Sequence, residues 1–282
     1  MKLTEFSKNI YSQFGEDGII EKIFKIIGPS SKICIEFGAW DGYHYSNTAN
    51  LWANNGWTGI LIEGDENRYE KLKQNIEGHK SLAICKYVGL KKGNTLEDIL
   101  KQNEITDIID LLSIDIDGDD YHILSSLKYL RPRVIICEYN PTIPYWLDIY
   151  SMPGLQLGSS VASLVRICGE KAYGLVALTD TNCVFVEKKH LPKFKKFNTS
   201  INDLAKRNYL NVIITSYNGN YFVYGKFPFG IAGKSIFGVK ANAEIMRAIK
   251  NNSIFTLKLP WLGSIVKNIN NIWGARLSRK KD

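Results

Sequence analysis

Between residues 16 and 189, strand-length apolar runs and helix-spaced segments take turns five times. This alternation constrains the fold more than any other feature of the chain. The runs KICIEF (32–37), WTGILIEGD (57–65), SLAICKYVG (81–89), IIDLLSIDID (108–117) and RVIICEYN (133–140) read as strands. They are short and nearly continuously apolar, which is how strands covered on both faces read. Segments 16–27, 46–55, 66–76, 96–103, 120–130 and 161–172 read as helices. In the first of them the apolar residues fall at 19, 20, 23, 24, 26 and 27, with Glu16 and Asp17 in the opening turn, where the macrodipole favours acids. Ser46 or Asn47 stands near an N-cap, and Thr95 with Asp98 makes an acidic variant of a capping box. The last two runs, YGLVALTD (173–180) and NCVFVEKK (182–189), are linked too closely for a crossover and must pair antiparallel. The pattern predicts an α/β chain: a mostly parallel seven-stranded sheet, helices on both faces, and a closing antiparallel hairpin.

After residue 200 the pattern changes, so the chain divides into a domain over 1–200 and a C-terminal extension over 201–282. Within the extension, NVIITSYNGNYFVYG (211–225) carries Asn218-Gly219 between two aromatic, β-branched runs, a hairpin signal. The tail from 240 reads as helical, with a break at Pro260. Leu262, Ile265, Val266, Ile269, Ile272, Trp273 and Leu277 form its apolar stripe. Of the net charge of +8, residues 240–282 hold +7, nine basic residues against Glu244 and Asp282, so the body is near neutral. A basic amphipathic helix can lie on an anionic membrane surface, dock on a partner, or pack onto its own domain.

Hydrophobic residues at 45% and charged residues at 23% exclude disordered and fibrous classes. No apolar run approaches the ~18 residues of a spanning helix, and MKLTEFSKNIYSQFGEDG has no signal-peptide core, so a cytoplasmic protein is expected, with peripheral contact at the inner membrane surface through the tail. Five cysteines, Cys34, Cys85, Cys137, Cys168 and Cys183, lack CxxC spacing and read as buried reduced thiols.

The chemistry concentrates in Glu36-Phe37-Gly38-Ala39-Trp40-Asp41-Gly42, between a strand and a helix, where doubly wound sheets hold nucleotide-like ligands. A dinucleotide fingerprint would place glycine at 38, 40 and 43, but 40 and 43 are Trp and Tyr, and no GxxxxGK[ST] loop exists. The acid-x-Gly-x-x-x-Gly loop that remains resembles motif I of S-adenosylmethionine-dependent methyltransferases. An acid there suits a sulfonium and an amine. Glu63, closing the second strand, suits two ribose hydroxyls.

The resemblance extends to Ser12-Gln13-Phe14-Gly15-Glu16-Asp17, EFGAWDGYHYSNT, ILIEGDENRYEKL, SIDIDGDDYHIL and CEYN, which look like the FkbM-type methyltransferase family over roughly residues 10–190. It implies a Rossmann-like class I methyltransferase that methylates hydroxyl groups, often on sugars of surface glycans or glycosylated metabolites. It also implies a cofactor site of Gln13, Glu36, Gly38, Ala39, Asp41, Gly42, Ser46 and Glu63. Gln13, Glu16 and Asp17 either line that pocket or cap the first helix.

A second cluster, Asp115-Ile116-Asp117-Gly118-Asp119-Asp120, ends the fourth strand. Glu138-Tyr139-Asn140 ends the fifth, and adjacent strands lie about 4.8 Å apart. Converging carboxylates suit a hard divalent cation. The layout resembles metal-dependent catechol-type O-methyltransferases, which implies Mg²⁺ or Mn²⁺ on Asp115, Glu138 and Asn140. Gly118 stands where those enzymes carry a lysine. The alternatives are an acceptor-hydroxyl site without metal and an acidic helix N-terminus. Asp115, Asp117 and His44 are the candidate catalytic residues, His44 as a general base or an ordinary loop histidine, with His122 a weaker candidate.

The expected activity is S-adenosylmethionine-dependent O-methylation of a sugar or glycan acceptor, in a monomer or a homo-oligomer. The rivals are a non-catalytic partner in glycan assembly and a nucleic-acid methyltransferase. The acidic rim argues against the second, because it repels phosphates.

Overall fold

The computed structural model describes residues 1–116, 118–155, 157–205, 209–210, 212–215, 221–224 and 255–257. Two compact units emerge. One holds Met1–Asn140 and Tyr145–Ala205, the other Pro141–Pro144 and Lys206–Asp282.

The first unit contains strands β1 (Ile33–Phe37), β2 (Thr58–Glu63), β3 (Leu82–Cys85), β4 (Leu111–Ile114), β5 (Val134–Glu138), β6 (Tyr173–Leu178) and β7 (Asn182–Glu187). They form one sheet in the order β3-β2-β1-β4-β5-β7-β6. The first five are parallel, β7 runs antiparallel to β5, and β6 antiparallel to β7. The mostly parallel seven-stranded sheet and the closing hairpin are therefore as the sequence predicts.

Helices α1 (Glu16–Ile27), α2 (Glu66–Asn75), α3 (Leu96–Gln102), α4 (Asp120–Ser126), α5 (Val161–Glu170) and α6 (Ile201–Leu204) cover it. Alternate strand residues face opposite layers. Ile35, Phe37, Ile60, Ile62, Leu112 and Ile114 pack with Leu96, Ile99, Ile123, Leu124, Leu164 and Ile167 of α3, α4 and α5. Cys34, Leu61, Leu111 and Ile136 pack on the other face with Ile19, Ile20 and Ile23 of α1 and Leu72 of α2. Each such side chain, fully buried, contributes about 1.5–3 kcal/mol of transfer free energy. The caps hold the helices in phase. Asp65, Thr95 and Ser160 accept from the backbone N–H three residues on, at 3.0, 3.1 and 3.1 Å.

Several elements depart from expectation. The segment 46–55 forms only a short π-helical turn, Asn50–Asn54. Asp98, expected to complete a capping box, takes the Gly93 N–H instead, at 2.7 Å. Cys85 is exposed because β3 is the sheet edge, while the other four thiols are buried, and burial raises their pKa values.

In the second unit, β8 (Val212–Thr215) and β9 (Tyr221–Tyr224) pair antiparallel, as the hairpin signal predicts, and β10 (Phe255–Leu257) joins β9. That strand corrects the all-helical reading of the tail: Phe-Thr-Leu alternates with period two and serves as an edge partner. The stripe from Leu262 to Leu277 lies outside the described residues. Among the described residues, no helix is long and apolar enough to cross a membrane.

Candidate functional site

From β1 the chain winds outward through β2 and β3, then returns to lay β4 on the other side of β1. The loops leaving β1 and β4 therefore diverge, and the crevice between them is where open α/β sheets bind ligands. Phe37 lies opposite Ile114, and Ile114 opposite Cys137, so the tips of β1, β4 and β5 end level. Gly38, with φ +73°, runs so close to the β4 tip that a Cβ there would come within 2.3 Å of the Asp115 carbonyl oxygen.

The loop after β1 is pinned by hydrogen bonds to β2 and α2. Gly38, Trp40 and Gly42 all have left-handed backbone, with φ of +73°, +50° and +87°. Trp40 N–H donates to Glu63 Oε2 at 2.8 Å, and Asp65 N–H to Glu63 Oε1 at 2.8 Å. Glu63, buried at the tip of β2, thus anchors this loop and the entry to α2 together. Ala39 is buried, and its N–H donates to the Ile62 carbonyl at 3.2 Å. Asp41 accepts from the N–H groups of Tyr43 and His44 at 3.0 and 2.8 Å, and Asn75 Nδ2 donates to its carbonyl. Gly42 packs on Leu72, whose Cδ1 a Cβ would approach to 2.8 Å.

Glu36 turns inward. Its Oε1 accepts from Asn47 N–H at 2.9 Å, and its Oε2 from the hydroxyls of Ser46 and Thr48. Burial raises its pKa, against the lowering effect of those donors. Ser46 Oγ in turn accepts from the N–H groups of Thr48 and Ala49, capping the turn that follows. Glu36 therefore fixes segment 46–48.

The Ser12–Asp17 segment sits over the same end of the sheet. Glu16, fully buried, accepts from Phe14 N–H, Thr179 Oγ1 and Asn182 Nδ2, reaching the β6–β7 turn. Asp17 Oδ2 gathers the N–H groups of Ile10, Tyr11 and Ser12 and the Ser12 hydroxyl at 2.8–2.9 Å, while its Oδ1 is buried without a partner. Tyr11 stacks on Tyr43 at 5.3 Å, joining the segment to the loop after β1. Of the two sequence alternatives for these acids, anchoring the start of α1 is the one their bonds display. Gln13 is exposed.

At the tips of β4 and β5, Asp115 and Glu138 are half-buried neighbours, one position beyond and within the paired strands. Asp120 closes the loop behind them by accepting from Ile116 and Gly118 N–H, both at 2.9 Å. Asp119 accepts from Gly154 N–H at 2.8 Å. Asn140 donates from Nδ2 to the Leu157 carbonyl at 2.9 Å. Asp117 lies outside the described residues. Among those described, no group of three or more His, Cys, Asp or Glu is arranged to hold a metal ion. The Asn140 bond uses its Nδ2 and leaves Oδ1 as an oxygen donor beside the two carboxylates. The metal expected at Asp115, Glu138 and Asn140 has no support among the described residues.

His44 is exposed, with its ring 4.9 Å from that of Trp40 and 4.0 Å from that of Tyr45. His122 is committed to the Ser151 carbonyl, Nε2 to oxygen 2.7 Å. The sequence reading passed over Thr48, Trp40, Tyr45 and Arg68. Only Trp40 had a signal: it occupies the fingerprint slot that takes glycine so that the backbone can approach a ligand, and its own backbone is left-handed.

No family profile and no curated sequence matches the chain. Similar solved structures include a Klebsiella pneumoniae protein assigned as an O-methyltransferase, 15% identical, covering 64% of this chain and 83% of that one, with a TM-score of 0.40. A SAM-dependent methyltransferase from Aquifex aeolicus is 11% identical, covering 65% and 94%, with a TM-score of 0.37. M. jannaschii TYW2, in complex with AdoMet, is 13% identical, covering 64% and 79%, with a TM-score of 0.32.

Proposed function

We propose that the chain is an S-adenosylmethionine-dependent O-methyltransferase acting on a hydroxyl group of a sugar or glycan. The observation that supports this reading is the switch of strand order at β1 and β4, beside a glycine loop anchored on Glu63. The residues fit the cofactor. Each Glu63 oxygen accepts one backbone N–H, and a carboxylate oxygen has room for a second donor, so two vicinal ribose hydroxyls have acceptors. Gly38 presents backbone rather than side chain beside the β4 tip, and Gly42 lets the loop close on Leu72. When bound, S-adenosylmethionine supplies a methyl group already activated on sulfur.

The chain then has two tasks. It aligns the acceptor oxygen for in-line attack, and it takes one proton. Asp115, half-buried at the β4 tip against Gly38, is the carboxylate placed for the proton, with Glu138 beside it to hold the acceptor hydroxyl. Glu36, Ser46 and Thr48 act through the loop they hold.

Two measurements test the reading. Calorimetry should show S-adenosylhomocysteine binding, weakened in Glu63→Ala by about ten- to a hundredfold, the loss of a charged hydrogen-bond partner worth ~1.5–3 kcal/mol. Unchanged affinity in a folded variant removes Glu63 from the site. Methyl-labelled S-adenosylmethionine with a panel of nucleotide sugars and glycans should label an acceptor, and exhaustive chelation should leave the rate intact. Cofactor binding without turnover on any acceptor would favour a non-catalytic partner in glycan assembly. A rate lost to chelator and restored by Mg²⁺ would overturn the metal-free account.

A further inference from the structure

Beside the anchored loop lies a group of side chains that neither the fold nor the cofactor reading uses. Trp40 is 44% exposed and Tyr45 55% exposed, with the His44 ring between them. The Arg68 guanidinium lies 4.5 Å over the Trp40 ring, and Arg68 is exposed with no ion pair or hydrogen bond to its guanidinium among the described residues. Trp40 and Tyr45 are both left-handed, at φ +50° and +54°. Bulky residues adopt that backbone at a cost and keep it where the surroundings enforce it, commonly at functional sites. Here the enforcement is visible in the bonds from Trp40 to Glu63 and from Tyr43 and His44 to Asp41. The loop presents two half-exposed aromatic rings on a hydrogen-bonded backbone.

We propose that Trp40, His44, Tyr45 and Arg68 form the acceptor-recognition face, taking a sugar ring that carries a single anionic group, a carboxylate or a phosphate. The role as acceptor face rests on the methyltransferase reading; the binding chemistry does not. Flat aromatic faces suit the apolar face of a ring, and a stacked guanidinium free of carboxylates suits one bidentate anion. A single-stranded nucleic acid would also stack on aromatics, but it brings repeated phosphates. One stacked guanidinium answers one anion, and Asp65 and Glu66, which open the same helix, add no further cation for repeated phosphates.

The test uses the full chain, titrated with glucuronate, glucose 1-phosphate, glucose and a uridine oligonucleotide, with and without saturating S-adenosylhomocysteine, followed by ligand-observed NMR. One or both anionic sugars should bind at least about tenfold more tightly than glucose, and Arg68→Gln should abolish that preference. Which of the two binds tells carboxylate from phosphate. Trp40→Leu and Trp40→Gly should weaken every sugar, and Trp40→Gly should leave the unfolding temperature unchanged or raised, since glycine accepts the left-handed backbone. Equal binding of all three sugars, no sugar binding, a preference that survives Arg68→Gln, or tighter binding of the oligonucleotide overturns the proposal. Lost S-adenosylhomocysteine affinity in the Trp40 or Arg68 variants overturns it too, since the face then belongs to the cofactor. If wild type fails to bind S-adenosylhomocysteine while the sugar preference tracks Arg68, the methyltransferase reading falls and the sugar face stands.

Discussion

Glu36 carries a carboxylate into the sheet's interior, and desolvation there raises its pKa even though three donors favour the charged form. A raised carboxylate pKa means that the folded chain holds a proton which the unfolded chain has already lost. The stability contribution is complete below the unfolded pKa and declines as pH rises through the folded one. Urea unfolding measured at a series of pH values should show that decline from the ordinary carboxylate range upward, and Glu36→Gln should flatten it. Identical slopes in the two proteins would show that the carboxylate titrates as if exposed. Residue-level chemistry was partly legible in the sequence. The acids at 36 and 63 stand at strand ends because a strand followed by glycine is easy to read. What the donors of Glu36 would be was not legible, because Ser46, Asn47 and Thr48 reach it only once the loop has folded back. Nor was the left-handed backbone of Tyr45, since nothing in Tyr-His-Tyr-Ser announces it.

At the scale of elements, the alternation of apolar runs with helical spacing was enough to predict every strand of the main sheet, and the short link before Asn182 was enough to orient the last pair. Lengths were not legible, because side chains off the strands end them. The fourth strand stops at Ile114 where Asp120 draws in the N–H groups of Ile116 and Gly118. It begins only after Asp110, a fully buried carboxylate that accepts from the N–H groups of Ser30, Ser31 and Lys32 and from Arg133 at 2.6 Å. That one side chain ties the α1–β1 turn to the starts of β4 and β5. Asp110→Ala leaves three backbone donors without their acceptor and a partly buried arginine without its counter-charge, so unfolding free energy should fall by ~3–5 kcal/mol. Asp110 lies at the amino ends of the strands, away from the crevice, so S-adenosylhomocysteine affinity in the folded variant should not change. A loss of affinity matching the loss of stability would mean that the two ends of the sheet are coupled. Contacts such as Glu16 with Thr179, 163 residues apart, have no sequence signal at all, because they depend on the sheet having already closed.

For the whole molecule, charge divides the chain more sharply than the fold does: residues 240–282 hold +7 of the net +8. We propose that this tail keeps the protein at an anionic membrane surface, where a lipid-linked glycan, the acceptor class proposed above, would be concentrated. Each basic residue near such a surface contributes about 1 kcal/mol, and an apolar stripe adds burial in the interface. The three-stranded sheet decides how to test this. β10 ends at Leu257 and pairs with β9, so a chain cut near 240 would lose a strand along with the tail. A chain ending after Lys258 keeps β10 and drops the stripe from Leu262 to Leu277 with Lys267, Arg276, Arg279, Lys280 and Lys281. Full-length protein should co-sediment with vesicles containing phosphatidylserine and less so as salt rises, because exposed charges are screened beyond a Debye length of about 8 Å at physiological ionic strength. The shortened chain should stay in the supernatant and still methylate a soluble acceptor. Equal sedimentation of the two chains, or an unfolded shortened chain, would show instead that the stripe packs onto the protein itself and that the positive charge has another use.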